Sequence, residues 1–182
     1  IREGWRCAEL GCGAGGIVDS LSRRVGPAGR VIGLDQQESS LEAARRWLDG
    51  LAGVFGNVGF QRGEILANEL PAESFDFAHL RFVLTSVGRH GARIAAAARL
   101  LKPGGIMALR FPSSTWQKIK GVIFHQWLHS KRASFGPTMH LYFFSDKTIR
   151  KMAQQVDLEV LKIFTTTAEA NTQSTLLDGI KR

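Results

Sequence analysis

The sequence predicts an α/β fold: a doubly wound, mostly parallel sheet of six to seven strands with helices on both faces. Three observations carry that expectation. Short apolar runs rich in Val, Ile and Leu alternate with amphipathic helical segments, the order that builds parallel sheets. A glycine-rich turn, Gly11 to Gly16, joins the first strand to the first helix. Polar residues recur where successive strands end, at that turn, at Asp35, at Glu64 and at Leu80–Arg81. Ligands of such sheets bind beyond the carboxyl ends of the strands, where the strand order reverses. These four stretches, far apart in sequence, are therefore expected to converge on one crevice.

The elements follow in order. Cys7 to Leu10 reads as a strand, and Gly11, Gly13 and Gly15 let the backbone turn sharply and approach a ligand closely. The turn delivers free N–H groups to the start of a helix over about Ile17 to Val25, a good place for a polar or anionic group. Val31 to Asp35 is a short buried strand ending in an acid. Ser39 with Glu42 resembles a capping box opening a second helix. Leu41, Ala44, Leu48 and Leu51 follow at helical spacing, with Arg45 the polar exception, until Gly53 to Gly56. A third strand around Val58 to Gln61 runs into Gly63–Glu64, and Phe75 to Leu80 makes a fourth, continuing towards Arg81 to Leu84. An alanine-rich helix over about Ala92 to Leu101 is expected to stop at Lys102 to Gly105. Ile106 to Arg110 is the fifth strand. Ser145–Asp146 caps a helix to about Val156, and Leu158 to Phe164 reads as a sixth strand.

Between them, Phe111 to Phe144 is rich in aromatic and basic residues and longer than an ordinary connection. It is expected to hold a helix near Gln117 to Ser130. At 182 residues the chain is expected to form one domain, with no linker or repeat dividing it. The apolar fraction is 44%, and no apolar run approaches the roughly 20 residues of a membrane span. The net charge of +8 permits contact with nucleic acid without demanding it, because much of the excess is scattered. Cys7 and Cys12 are the two cysteines. With no second pair to build a disulfide framework or metal site, no metal is expected and a reducing, cytoplasmic setting fits.

The loop Gly11-x-Gly13-x-x-Gly16 also satisfies a dinucleotide fingerprint, so a nicotinamide or flavin enzyme has to be weighed. Asp35 suits a ribose diol in either case, since a carboxylate accepts two hydroxyl hydrogen bonds. Glu9 discriminates: it sits two residues before the first glycine, where a dinucleotide loop usually has an apolar residue, and a carboxylate there suits an ammonium group. Glu9 to Gly15, Val31 to Asp35, Gly63–Glu64, Ser74 to Phe77 and Leu100 to Gly105 occur in the order and spacing of a known family. On these motifs the chain resembles a class I S-adenosylmethionine-dependent methyltransferase, well over Arg6 to Arg110 and loosely over Ser145 to Phe164.

The resemblance implies a Rossmann-like sheet of seven strands, the last antiparallel, with S-adenosylmethionine at the ends of the first strands. It divides the single domain into a cofactor-binding core (1–110), a substrate-covering insertion (111–144) and a C-terminal helix and strand (145–182). Gly11, Gly13 and Gly15 would pack under the methionine part of the cofactor, and Glu9 would help hold its amino group. Asp35 would grip the ribose hydroxyls, with Gln36 beside the adenine. Glu64 and the Ile65 backbone would address the adenine edge, and Leu80 and Arg81 would lie near the sulfonium and its carboxylate. Asp76 is expected to order the turn into the fourth strand.

Methyl transfer from a sulfonium is a direct displacement, governed mainly by alignment of the acceptor. A base is needed only where the acceptor is a poor nucleophile. In the insertion, Trp116, Phe124, Trp127 and Tyr142 would wall an apolar acceptor, and His125, His129 and His140 are candidate bases. A small-molecule acceptor is the first reading. RNA or protein methylation is the alternative, suggested only by the charge and the basic aromatic segment, since no nucleic-acid methylation motif follows the fourth strand. A cofactor-binding regulatory domain without activity is a third. Little precedes the first strand, as expected of a fragment lacking an N-terminal lid or of a homodimer whose partner supplies one.

Overall fold

The computed structural model describes residues 1–51, 56–81, 83–84, 88–111, 144–163 and 179–181. Their order is β1 (Arg6–Leu10), α1 (Val18–Val25), β2 (Arg30–Asp35), α2 (Glu38–Asp49) and β3 (Val58–Arg62). A single 3-10 turn (Ile65–Ala67) leads to β4 (Phe75–Arg81), α3 (His90–Ala98) and β5 (Leu101–Arg110). After residues 112–143 come α4 (Asp146–Gln154), β6 (Leu158–Val160) and β7 (Gly179–Lys181).

The strands lie in the order β3-β2-β1-β4-β5-β7-β6. β3, β2, β1, β4 and β5 pair in parallel. That parallel pairing is five strands wide, narrower than expected. The sheet goes further only through two three-residue strands, with β7 antiparallel to both β5 and β6. The sixth strand stops at Val160 rather than Phe164, because β7 offers it three partners, Lys181, Ile180 and Gly179. The strand order reverses between β1 and β4, which is where a ligand crevice is expected.

Period-two alternation splits the core between the faces of the sheet. Ala8, Leu10, Ala78, Leu80, Met107 and Leu109 pack on one side with α3 and α4. Cys7, Val31, Phe77 and Ala108 pack on the other with Val18, Leu21 and Leu41 of α1 and α2. A buried polar bridge pins α1 to the start of β3. Ser22 Oγ donates to Asn57 Oδ1 at 2.7 Å, and Asn57 Nδ2 donates to the Gly26 carbonyl at 2.7 Å.

Several local expectations change. The capping box at Ser39 and Glu42 does not form: α2 already begins at Glu38, no side chain caps it, and Ser39 lies in its first turn. A turn at Asp35 leads into the helix instead, its Oδ1 accepting at 3.0 Å the N–H of Gln37, the residue before α2. α2 ends at Asp49, with Gly50 as its cap, so Leu51 lies beyond it. α3 ends at Ala98, and Lys102 to Gly105 are not its terminator. They belong to β5 as an irregularity: Leu101 pairs with Phe75 and Ile106 with Phe77, leaving four residues opposite Asp76. Asp76 holds this excursion and the adjoining strand rather than a turn. Its Oδ1 accepts from Lys102 Nζ at 2.7 Å and its Oδ2 from the Arg6 N–H at 2.8 Å. The cap at Ser145 forms as expected, its hydroxyl accepting the Thr148 N–H at 3.2 Å.

Candidate functional site

The Gly11–Gly16 loop leaves β1 and is stitched to β2 by backbone. Gly11 and Cys12 both donate to the Leu34 carbonyl, at 2.7 and 3.0 Å. Asp35, next along β2, completes the seam: its Oδ2 accepts the Gly13 N–H at 2.8 Å. Its own carbonyl accepts the Gly63 N–H at 3.0 Å, which ties in the end of β3. One residue at the end of β2 thus fastens the loop, the start of α2 and the end of β3. Gly11 is held at φ +76°, and a Cβ there would stand 2.5 Å from Val83 Cγ2, so the loop and the chain after β4 approach as only glycine allows.

Beneath the loop, Glu9 is 1% exposed. Its Oε2 accepts the Ile17 N–H at 2.9 Å, closing the start of α1, where a negative charge is favoured. Its Oε1 stands 3.5 Å from His79 Nδ1 on the neighbouring strand. Cys12 is buried within the same loop, and burial, with Glu9 and Asp35 nearby, pushes its thiol up to about 12. Burial and Asp76 do the same to Cys7, so both stay protonated and offer no thiolate nucleophile.

An open cleft of about 540 Å³ lies at the strand-order reversal, within the roughly 300–1,000 Å³ of small-molecule sites. Seven of the expected residues line it: Gly11, Gly13, Asp35, Gln36, Glu64, Ile65 and Arg81. Three do not. Glu9 is sealed under the loop, and Gly15 backs onto Trp47, whose ring would stand 2.7 Å from a Cβ there. The Leu80 side chain is 1% exposed because its parity on β4 turns it into the core. His125, His129 and His140 lie outside the described residues, as do Trp116, Phe124, Trp127 and Tyr142.

The cleft also holds Arg89 and Arg93, which sequence reasoning missed. Arg89 precedes α3 with φ +64°, a conformation no residue pattern announces. Arg93 lies one turn into α3, where its guanidinium donates to the Gly88 carbonyl. His79 was missed as well. Only the β1–β4 register, which sets it beside Glu9, marks it out.

A model of a methyltransferase-domain family matches residues 8–105, more than half of the chain, including β2, β3, β4 and the end of β1. The chain belongs to the methyltransferase-domain family. The resemblance to class I S-adenosylmethionine-dependent methyltransferases holds in family and in fold. The methyltransferase domain is 35% identical over 117 residues to a ubiquinone/menaquinone biosynthesis C-methyltransferase UbiE of Pseudomonas putida, covering 63% of this chain and 45% of that relative. The chain therefore spans about half the length of the curated relatives it matches. Among solved structures, a S-adenosylmethionine-dependent methyltransferase of Methanosarcina mazei superposes with a TM-score of 0.72 at 20% identity, over 98% of this chain and 91% of that one. One from Aquifex aeolicus superposes at 0.71 and 19% identity, over 99% and 84%. At that identity these neighbours speak for the fold. Among the described residues no helix is long and apolar enough to cross a membrane.

Proposed function

We propose that this methyltransferase domain binds S-adenosylmethionine in the cleft at the β1–β4 reversal and transfers its methyl group to a small-molecule acceptor. The observation that carries the reading is Asp35. Each of its oxygens already accepts one backbone N–H, from Gly13 and from Gln37. A carboxylate oxygen has a second lone pair, so Asp35 can take a ribose diol without releasing the loop. The residues around it fit the same ligand. A Cβ on Gly13 would meet nothing within 4 Å, which leaves open space on the ligand side of the loop. Glu64 is exposed at the rim for an exocyclic amine, and Ile65, its side chain buried, contributes through its backbone.

When bound, S-adenosylmethionine supplies a methyl group already activated by its sulfonium. The chain's share is then orientation, the effect that dominates a displacement of this kind. Asp35 and the glycine loop would fix the donor end, while Arg81, Arg89 and Arg93 bring positive charge to the same cleft. Glu9 enters by holding the loop rather than by touching the ligand, since it is buried. The name of the Pseudomonas putida relative, a C-methyltransferase of quinone biosynthesis, supports a small-molecule acceptor and carbon as the receiving atom. His125, His129 and His140 remain the proposed bases for an acceptor that must lose a proton, with replacement of each in turn as their test.

Titration calorimetry with S-adenosylhomocysteine tests the donor assignment. The folded protein is expected to bind it and to show no heat with a nicotinamide dinucleotide; the opposite pattern overturns the reading. A panel of phenols, quinols and amines offered with methyl-labelled donor then identifies the acceptor.

A further inference from the structure

Glu9 and His79 are register partners across β1 and β4, and both face the α1 side of the sheet. Both are buried, at 1% and 4% exposure. Glu9 Oε1 and His79 Nδ1 are 3.5 Å apart, and neither atom has a hydrogen-bond partner. Buried polar atoms without partners are rare and costly. Two that face each other at this separation are satisfied together if the imidazole carries its proton on Nδ1 and the side chains close by a few tenths of an ångström. Phe77 keeps the ring in place for this, lying parallel to it with centroids 6.4 Å apart.

The consequence reaches the cleft through Glu9. The second oxygen of Glu9 holds the Ile17 N–H at the entrance to α1. The loop lies directly on the carboxylate: a Cβ on Gly16, at φ +50°, would collide with Glu9 Oε1. The position of Glu9 therefore sets the height of the loop, and Gly11 and Gly13 of that loop line the cleft. We propose that His79 is a positioning residue for the donor loop, its Nδ1–H holding the Glu9 carboxylate beneath Gly16 and Ile17. The effect on donor affinity rests on the S-adenosylmethionine reading; the contact itself does not.

Three variants separate this role from simple core packing. Asn places an amide N–H where the His Nδ1–H stood, Gln places it where Nε2 stood, and Leu removes it. S-adenosylhomocysteine affinity by calorimetry is expected to fall about tenfold in His79→Leu and His79→Gln, equivalent to ~1.4 kcal/mol. In His79→Asn it should stay within about threefold of the original, since the hydrogen bond is kept. Amide exchange at Ile17 reads the contact without ligand: His79→Leu is expected to speed it and His79→Asn to leave it protected. Nitrogen-15 spectra of the imidazole are expected to show Nδ1 protonated at neutral pH. Unchanged Ile17 exchange in His79→Leu, or an unprotonated Nδ1, overturns the proposal. If His79→Leu fails to fold, the Asn and Gln pair decides it, equal behaviour of the two being fatal. If the unsubstituted protein binds no S-adenosylhomocysteine, the cofactor reading fails, while the exchange and nitrogen spectra still decide the Glu9–His79 contact.

Discussion

The Asp35 carboxylate binds the Gly13 N–H at 2.8 Å through Oδ2 and the Gln37 N–H at 3.0 Å through Oδ1. The glycine loop and the second helix therefore share one acid, and the acid lies in the cleft. Asp35→Ala should weaken S-adenosylhomocysteine binding at least tenfold by calorimetry and lower stability by about 1.5–3 kcal/mol in urea, the range for hydrogen bonds to a charged group. Binding at the original strength would remove Asp35 from the site.

The Gly11 position tests the approach of the loop to the chain after β4. Gly11→Ala puts a methyl group against Val83 in a backbone conformation that disfavours side chains. The variant should lose about 1–3 kcal/mol of stability. Pairing it with Val83→Ala should recover part of that loss, because the steric share disappears while the φ strain remains. Urea denaturation of the two single variants and the double variant measures the coupling.

Asn57 is 6% exposed and serves Ser22 and Gly26 at once. Asn57→Ala leaves the Gly26 carbonyl without this donor inside the protein, and the expected loss is about 1–3 kcal/mol. The urea midpoint should fall with little change in slope, since the surface exposed on unfolding is the same.

Asp76 and Lys102 form an ion pair whose two members differ in weight. The Lys102 side chain is 43% exposed, so Lys102→Ala should cost at most about 1 kcal/mol, and less in high salt. Asp76→Ala also abandons the Arg6 N–H at the start of β1 and should cost more. Denaturation in low and high salt separates the two contributions.

The cysteines make stability fall at alkaline pH. Both thiols are raised from an ordinary 9.0 to about 12 in the folded protein. Below pH 9 both states keep them protonated, and the full stability is present. Between about pH 9 and 12 only the unfolded chain ionises, so stability declines as pH rises, by no more than ~1.4 kcal/mol per unit per thiol. Replacing Cys7 and Cys12 by Ala should flatten the profile of urea midpoint against pH in that window.

Much of the fold is legible in the residues. The strands at Cys7 to Leu10 and Val31 to Asp35 are apolar runs bounded by glycine or acid and form within a residue of expectation, while the strand from Phe75 ends at Arg81 and does not continue to Leu84, which lies in a turn. Ser145 announces its helix because N-capping is a local interaction. Ser39 misleads for the opposite reason: the Asp35 turn upstream opens α2 before the serine is reached. Lys102 to Gly105 reads as a helix stop, and only pairing with Phe75 and Phe77 shows it as an excursion within β5.

The sequence by itself determined the alternation of strands and helices, the glycine turn after the first strand and the acid at the end of the second. These depend on neighbours within a few positions, where backbone freedom and hydrophobic period act directly. The tertiary structure decided which of those polar residues share a cleft and which do not. Parallel pairing sets Glu9 beside His79, seventy positions away, and buries both. The same pairing turns Leu80 inward and leaves Arg81 at the rim. Strand register is a property of the assembled sheet, so Glu9, the residue the sequence marked most clearly as a ligand contact, holds the loop from beneath.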